Sequence, residues 1–347
     1  MQKGILFVCL ASLLAAQEQA DRPISVTTRL VLAPVTVFDK GGNYIPGLTP
    51  YDFRLLDNGK VQKITQDLAS HPISMVVAIQ ANADVEKILP SIQKLPGVFE
   101  SLVIGEEGEM AVLAFDHRVQ TLTGFTNDAE KIDAAFKKLK PGSYTSALNN
   151  ATMEAINMLK TRPTNRRRIL VQISENRDKG SSFKLSEVIT EADFANVYIY
   201  SVDVSHLLAS LTGKAQANRP STYSLPPGAT PLPLGQVNTA TTESQMNMGN
   251  WVPALKDIFD AAKGIFVPDP LDVYTKYTGG RQFSFKSQKT LERDVAQLGD
   301  ELHSQYLLTY TPNNQEEGGY HHIVVEILKP GLTVRTRDGY YLAAKPQ

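Results

Sequence analysis

Ile73-Ser74-Met75-Val76-Val77-Ala78-Ile79 runs directly into Gln80-Ala81-Asn82-Ala83-Asp84. The first stretch is almost wholly apolar and does not alternate with polar positions. A strand of this kind is buried on both faces, as in the parallel sheet of an α/β unit. The polar stretch behind it then lies at the carboxyl end of that strand, where open α/β sheets bind their ligands.

The pattern downstream supports this reading. Met110–Phe115 is strand-like, and Asp128–Leu139 is helical, with Thr126 or Asn127 as its cap. Leu148–Leu159 is helical, with Leu148, Ala155 and Leu159 on one face. Ile169–Ile173 is apolar, Leu185–Phe194 helical and Val197–Val202 apolar. Strands separated by helices predict an α/β fold: a doubly wound, mostly parallel, Rossmann-like sheet over residues 71–304. Leu207–Asn250 breaks the rhythm with Pro220, Pro226, Pro227, Pro231 and Pro233 among small polar residues, and reads as a surface insertion. Asp269–Thr278 is helical and closed by Gly279-Gly280. Leu291, Val295, Leu298 and Leu302 make Lys289–His303 an amphipathic helix.

Both ends of the chain are β-rich. Residues 21–70 contain alternating strand patterns, a turn at Asp39-Lys40-Gly41-Gly42 and a hairpin at Asp57-Asn58-Gly59-Lys60. Residues 305–347 contain strands at Tyr306–Tyr310, His322–Leu328 and Leu332–Arg337, then Gly339-Tyr340-Tyr341. Asn313–Tyr320 reads as a hairpin turn. The N- and C-terminal strands are expected to pair into a small β-sandwich flanking the α/β unit. Tyr306, Tyr310, Tyr340 and Tyr341 are expected to pack between the two. Of His321 and His322, one should face inward and one outward. Arg166-Arg167-Arg168 reads as the solvated start of a strand.

In the 347 residues, 35 Lys and Arg stand against 36 Asp and Glu, for a net charge of −1. That balance excludes a broad nucleic-acid surface and a polybasic membrane patch. The single cysteine, Cys9, excludes a disulfide framework and a cysteine-built metal site. Lys3, the apolar run Ile5–Leu14, and Ala15-Ala16 have the form of a secretory signal within residues 1–20. The run is too short to span a bilayer, so the expectation is an exported protein, periplasmic or extracellular, with no transmembrane span after signal removal. No H-E-x-x-H, G-x-S-x-G or Gly-rich phosphate loop is present. Asp203, Ser205 and His206 lie close in sequence without the elbow a triad needs.

Three loops fall just past the carboxyl ends of strands or open a helix: 80–84, 142–148 and 174–178. Gln80-x-Asn82-x-Asp84, Ser146-Ala147-Leu148 and Glu175 fall where three ligating motifs fall in the von Willebrand factor type A domain. There, D-x-S-x-S, a Thr before a helix, and an Asp hold a divalent cation. Further stretches resemble the VWFA-related domain family of acidobacterial secreted proteins. They are Val35–Gly41, Gly47–Phe53, Asp57-Asn58-Gly59, Thr278–Arg281, Gln305–Pro312, Lys329–Arg335 and Gly339–Tyr341.

The resemblance implies a metal-ion-dependent adhesion site drawn from Asn82, Asp84, Thr145, Ser146 and Glu175, with Mg2+ or another divalent cation as its cofactor. Gln80 and Asn82 replace a carboxylate and a hydroxyl with amides, Asp84 puts a carboxylate where a hydroxyl belongs, and Glu175 is longer than Asp. The site is therefore expected to be degenerate and any cation weakly held. A plainer reading makes Asn82 or Asp84, and Thr145 or Ser146, helix caps, and Glu175 and Asp178 solvated loop charges. The resemblance implies a non-enzymatic interaction module that meets a protein partner through Gln80, Asp84, Tyr144, Glu175 and Asp178. A structural subunit of an envelope assembly and a metal-dependent hydrolase are the alternatives.

Overall fold

A computed structural model describes residues 30–67, 71–100, 107–212, 269–284 and 288–342. The expected signal segment and residues 213–250 of the expected insertion lie outside them.

The described chain forms fourteen strands. They are β1 Val31–Phe38, β2 Phe53–Asp57, β3 Lys60–Gln62, β4 Ile64–Asp67, β5 Ile73–Gln80, β6 Glu109–Phe115 and β7 Val119–Thr126. β8 Arg167–Ser174, β9 Val197–Asp203, β10 Gln282–Ser284, β11 Tyr306–Tyr310, β12 Gly319–Ile327, β13 Thr333–Thr336 and β14 Gly339–Leu342 follow.

The central sheet has the order β10-β9-β8-β5-β6-β7. All its neighbours are parallel except β6 and β7. Every residue of β5 is buried. Met75, Val77 and Ile79 enter one core with Phe99, Phe136, Leu291, Val295, Leu298 and Leu302. Val76 and Ala78 enter the other, with Leu148, Ile156, Val188, Leu271 and Tyr274. Strand residues point alternately to opposite faces, so a strand between two helical layers must be apolar throughout. β6 pairs on one side of β5 and β8 on the other. The winding therefore reverses at β5, and its carboxyl end opens onto a crevice between loops.

The terminal strands form two four-stranded sheets, β13-β1-β11-β4 and β14-β12-β2-β3. They share a core of Val31, Ala33, Val35 and Leu308 with Phe53, Leu55, Ile323 and Val325. Leu32 and Leu307, on the opposite face of the first sheet, pack into the central core. Ion pairs, one fully buried and one half-buried, fasten the sandwich to the α/β unit. Arg337 on the sandwich meets Asp193 of the Leu185–Phe194 helix at 3.0 Å. Arg335 meets Glu301 of the Gln288–Ser304 helix.

Several expectations need correction. The helix after β7 runs Ala129–Lys137, and its cap is Asp128, whose carboxylate accepts from the N–H groups of Glu130 and Lys131. β7 and β10 carry weak patterns because one is a half-buried edge and the other is three residues long. Asn313–Tyr320 is no hairpin turn, since β11 and β12 belong to different sheets. Asn314 is tied instead to Asp57 at 3.2 Å, and Asn313 to Gln62 at 2.7 Å, which carries the chain across the sandwich. Tyr306, Tyr310 and Tyr340 lie inside the sandwich core, where the Tyr310 and Tyr340 hydroxyls donate to the buried Asp57 carboxylate. Of the four tyrosines, Tyr341 reaches the junction, where its N–H donates to Asp193. His321 is buried against Asp57, and His322 is half-buried. Arg167 is buried, and Arg166 and Arg168 are half-buried, so the basic run is not a solvated one. A helix, Ser205–Thr212, occupies the first residues assigned to the insertion.

Candidate functional site

Loops 80–84, 116–118, 142–146 and 174–183 converge at the carboxyl end of the central sheet. Backbone bonds join them: Ala83 N–H donates to the Ser143 carbonyl, Gly142 N–H to that of Ala81, and Lys179 N–H to that of Ser146. Gly142 allows the close approach, because a methyl group there would run into the Asp116 carboxylate.

A directional hydrogen-bond chain crosses the crevice. The Glu175 N–H can only donate, and it donates to Gln80 Oε1 at 2.8 Å. This fixes the amide, so Gln80 Nε2 faces Asn82 Oδ1 at 2.8 Å and Glu175 Oε2 at 3.0 Å. Asn82 in turn presents Nδ2 to Asp84 Oδ2 at 3.3 Å and to the Tyr144 carbonyl at 3.4 Å. The Lys179 ammonium closes the chain on Asp84 Oδ2 at 2.6 Å. Gln80 and Asn82 are buried, while Asp84 and Lys179 are each more than one-third exposed.

The predicted ligands Asn82, Asp84 and Glu175 thus meet around Gln80, but their oxygens face N–H groups. Magnesium requires a near-octahedral oxygen shell at about 2.0–2.1 Å. Here amide nitrogens point into that space, and Asp84 is matched by an internal cation. Ser146 Oγ is buried with no partner, but one neutral hydroxyl supplies no charge. Thr145 turns a methyl group toward Gly180. This donor set does not fit a resident divalent cation. Among the described residues, no three His, Cys, Asp or Glu side chains cluster as a metal site requires.

The capping alternatives also change. Asn82 precedes the Ala83–Ile88 turn without a side-chain cap bond, and Ala147, not Thr145 or Ser146, is the cap residue of the Leu148–Lys160 helix. The helix is capped from the neighbouring loop. Asp178 Oδ1 accepts from Asn149 N–H at 3.3 Å, and Ser181 Oγ from Asn150 N–H at 3.1 Å. Asp178 is therefore an exposed loop charge that also caps a helix across space.

Sequence reasoning missed Lys179, Asp116 and His117. Burial acts to raise the Asp116 carboxyl, but hydrogen bonds from the N–H groups of Ser143 and Arg118 outweigh it and hold it at about 2. His117 Nδ1 lies 2.8 Å from Ser143 Oγ and 3.0 Å from Asp116 Oδ2. Both contacts use one ring nitrogen, whereas a proton relay needs the two nitrogens on different partners. Asp203 and Ser205 are not a triad either: the carboxylate accepts from the Ser205 N–H, and burial raises its pKa.

Two aromatic side chains stand out from these loops. Tyr144 is 80% exposed and Phe183 41%.

Residues 74–177 match the sequence model of the von Willebrand factor type A domain. No curated protein matches the chain significantly. Among solved structures, BatB from Bacteroides thetaiotaomicron is 11% identical over 66% of this chain and 98% of its own, with a TM-score of 0.41. An aerotolerance-related membrane protein from Bacteroides fragilis is also 11% identical, over 66% of this chain and 99% of its own, with a TM-score of 0.39. The vWF domain of the type V pili tip protein Mfa5 from Porphyromonas gingivalis is 16% identical over 31% of this chain, with a TM-score of 0.28. This chain covers 39% of that domain's length. At these identities the likeness concerns the fold alone. Among the described residues, no helix is long and apolar enough to cross a membrane.

Proposed function

We propose, from the premise that the α/β unit is a von Willebrand factor type A domain, that this protein is an exported, non-enzymatic interaction module. Domains of this type are generally protein-interaction modules. This one meets a protein partner through the carboxyl end of its sheet and does so without a metal. The single observation carrying the reading is Tyr144, 80% exposed on a loop anchored to the Gln80–Asn82–Asp84–Lys179 chain. An exposed aromatic on a loop tied down through its backbone has the make-up of an interface hot spot. Gln80, Asp84, Glu175 and Asp178 serve this contact mainly by shaping and fixing the loops. The internal ion pair takes the role that a cation plays elsewhere, so partner binding has no metal requirement.

The test is capture of envelope proteins from the source cells by the purified chain, repeated with Tyr144→Ala, Asp84→Ala and the distant control Val324→Ser. A captured partner lost with the first two, retained with the control and indifferent to EDTA is expected. Capture that ignores Tyr144→Ala, or that EDTA abolishes, overturns the reading.

A further inference from the structure

The second sheet of the sandwich, β14-β12-β2-β3, turns one face into the sandwich core and the other outward. The outer face is covered at one end. There Tyr320 of β12 packs against Tyr277 of the Pro270–Thr278 helix, with ring centroids 6.1 Å apart. Val324, Glu326 and Leu328 follow Tyr320 at even spacing, so they share its face. Along them the cover ends: Val324 is 38% exposed and Leu328 58%.

β2 and β3 supply the neighbours. Val324 is opposite Leu56, and Leu56 is opposite Val61, which is 59% exposed. Glu326 is opposite Arg54, and the two form an exposed ion pair. Leu328 N–H donates to the Asp52 carbonyl at 2.8 Å, which continues the ladder by one residue. The face therefore carries an apolar row, Val324-Leu56-Val61, then a charged row, Glu326-Arg54, then a leucine. Apolar side chains left open in one patch, around an arginine and a glutamate, have the make-up of an interaction surface.

The charge pattern selects the occupant. Arg54 and Glu326 stand side by side on adjacent strands. A two-fold axis along the strands, between β2 and β12, sets Arg54 of one copy over Glu326 of the other, and the reverse. The same axis sets the apolar row against its own counterpart. The face is thus complementary to itself in charge and in polarity, as an isologous contact requires. A net charge of −1 adds no strong repulsion between copies.

We propose that two copies of this chain associate through the outer face of β12, β2 and β3. Residues 324–328 across three strands span about 17 Å by 14 Å. That patch is smaller than the roughly 800 Å² per partner of a standard interface, so the dimer is weak, with a Kd in the micromolar range. The contact lies on the sandwich and does not involve the loops at the carboxyl end of β5.

Sedimentation velocity of the purified chain from about 1 to 300 µM tests the proposal. A monomer–dimer equilibrium is expected. Arg54→Glu and Glu326→Arg, each retaining the far-ultraviolet dichroism of the parent, should each weaken the dimer at least about tenfold, because like charges then face one another. An equimolar mixture of the two variants should dimerise again, since one copy then presents two carboxylates to two guanidinium groups of the other. A folding defect in either variant does not produce that recovery. Tyr144→Ala should dimerise as the parent does, which keeps this result independent of the partner contact. A chain monomeric over the whole range, a dimer indifferent to both charge reversals, or a mixture that stays monomeric overturns the proposal.

Discussion

Gln80 sets the character of the crevice through one atom. A carboxylate at that position would offer two oxygens, whereas the amide offers one oxygen and one donor. The donor turns toward Asn82 and Glu175 because the Glu175 N–H has already claimed the oxygen. Millimolar Mg2+ or Mn2+ should therefore leave the parent melting temperature unchanged. The double variant Gln80→Asp, Lys179→Ala should gain a metal-dependent rise, since it restores a carboxylate and removes the competing cation. A parent rise of several degrees that disappears on Asp84→Ala would contradict this. Asp116 gives a second test at this scale. Its folded pKa, about 2, lies below the ordinary 3.8. Its stabilisation is thus complete above the unfolded value and is lost as pH falls from near 4 to near 2. Asp116→Asn should cost about 2 kcal/mol at neutral pH and flatten the acid limb of a stability–pH curve measured in urea.

At the scale of elements, the Leu148–Lys160 helix has no cap of its own. Its first N–H groups are met by Asp178 and Ser181 from the loop after β8, and Asn150 Oδ1 accepts in return from the Ser182 and Phe183 N–H groups. Helix and loop therefore hold one another in place. Asp178→Ala should cost about 1 kcal/mol, as losing an N-cap does, and should lower the urea midpoint with an unchanged slope. It should also raise the amide exchange of residues 178–183, because the same bonds order the loop. β5 and its loop were legible from sequence because burial on both faces leaves an apolar signature. The cross-loop cap was not, because Asp178 and Asn149 become neighbours only when β8 and the helix pack side by side.

At the scale of the whole molecule, the sandwich and the α/β unit share buried charge. Arg337 is 3% exposed and Asp193 2%, and Tyr341 N–H also donates to that carboxylate. Asp193 stabilises the guanidinium charge that burial alone would oppose. Removing one partner leaves the other buried and unpaired, which costs about 3–5 kcal/mol. Arg337→Met should therefore lower stability strongly in urea. It should also separate one cooperative transition into two, followed by tyrosine fluorescence and far-ultraviolet dichroism. The pairing of the chain ends was expected from their β-rich composition. The partition of β11 and β12 between two sheets was not, because Gly318-Gly319 suits a hairpin and a crossover equally.

The sequence by itself determined the doubly wound sheet, the β-sandwich at the chain ends and the set of loops that meet at the carboxyl end of β5. Hydrophobic period and turn chemistry are local properties, and they survive in a linear string. Only the tertiary structure decided that Lys179 sits on Asp84, that Asp178 caps a distant helix, and that Arg337 meets Asp193. Each of these depends on the distance between groups far apart in sequence, and burial, which sets the strength of such contacts, exists only after the layers have packed.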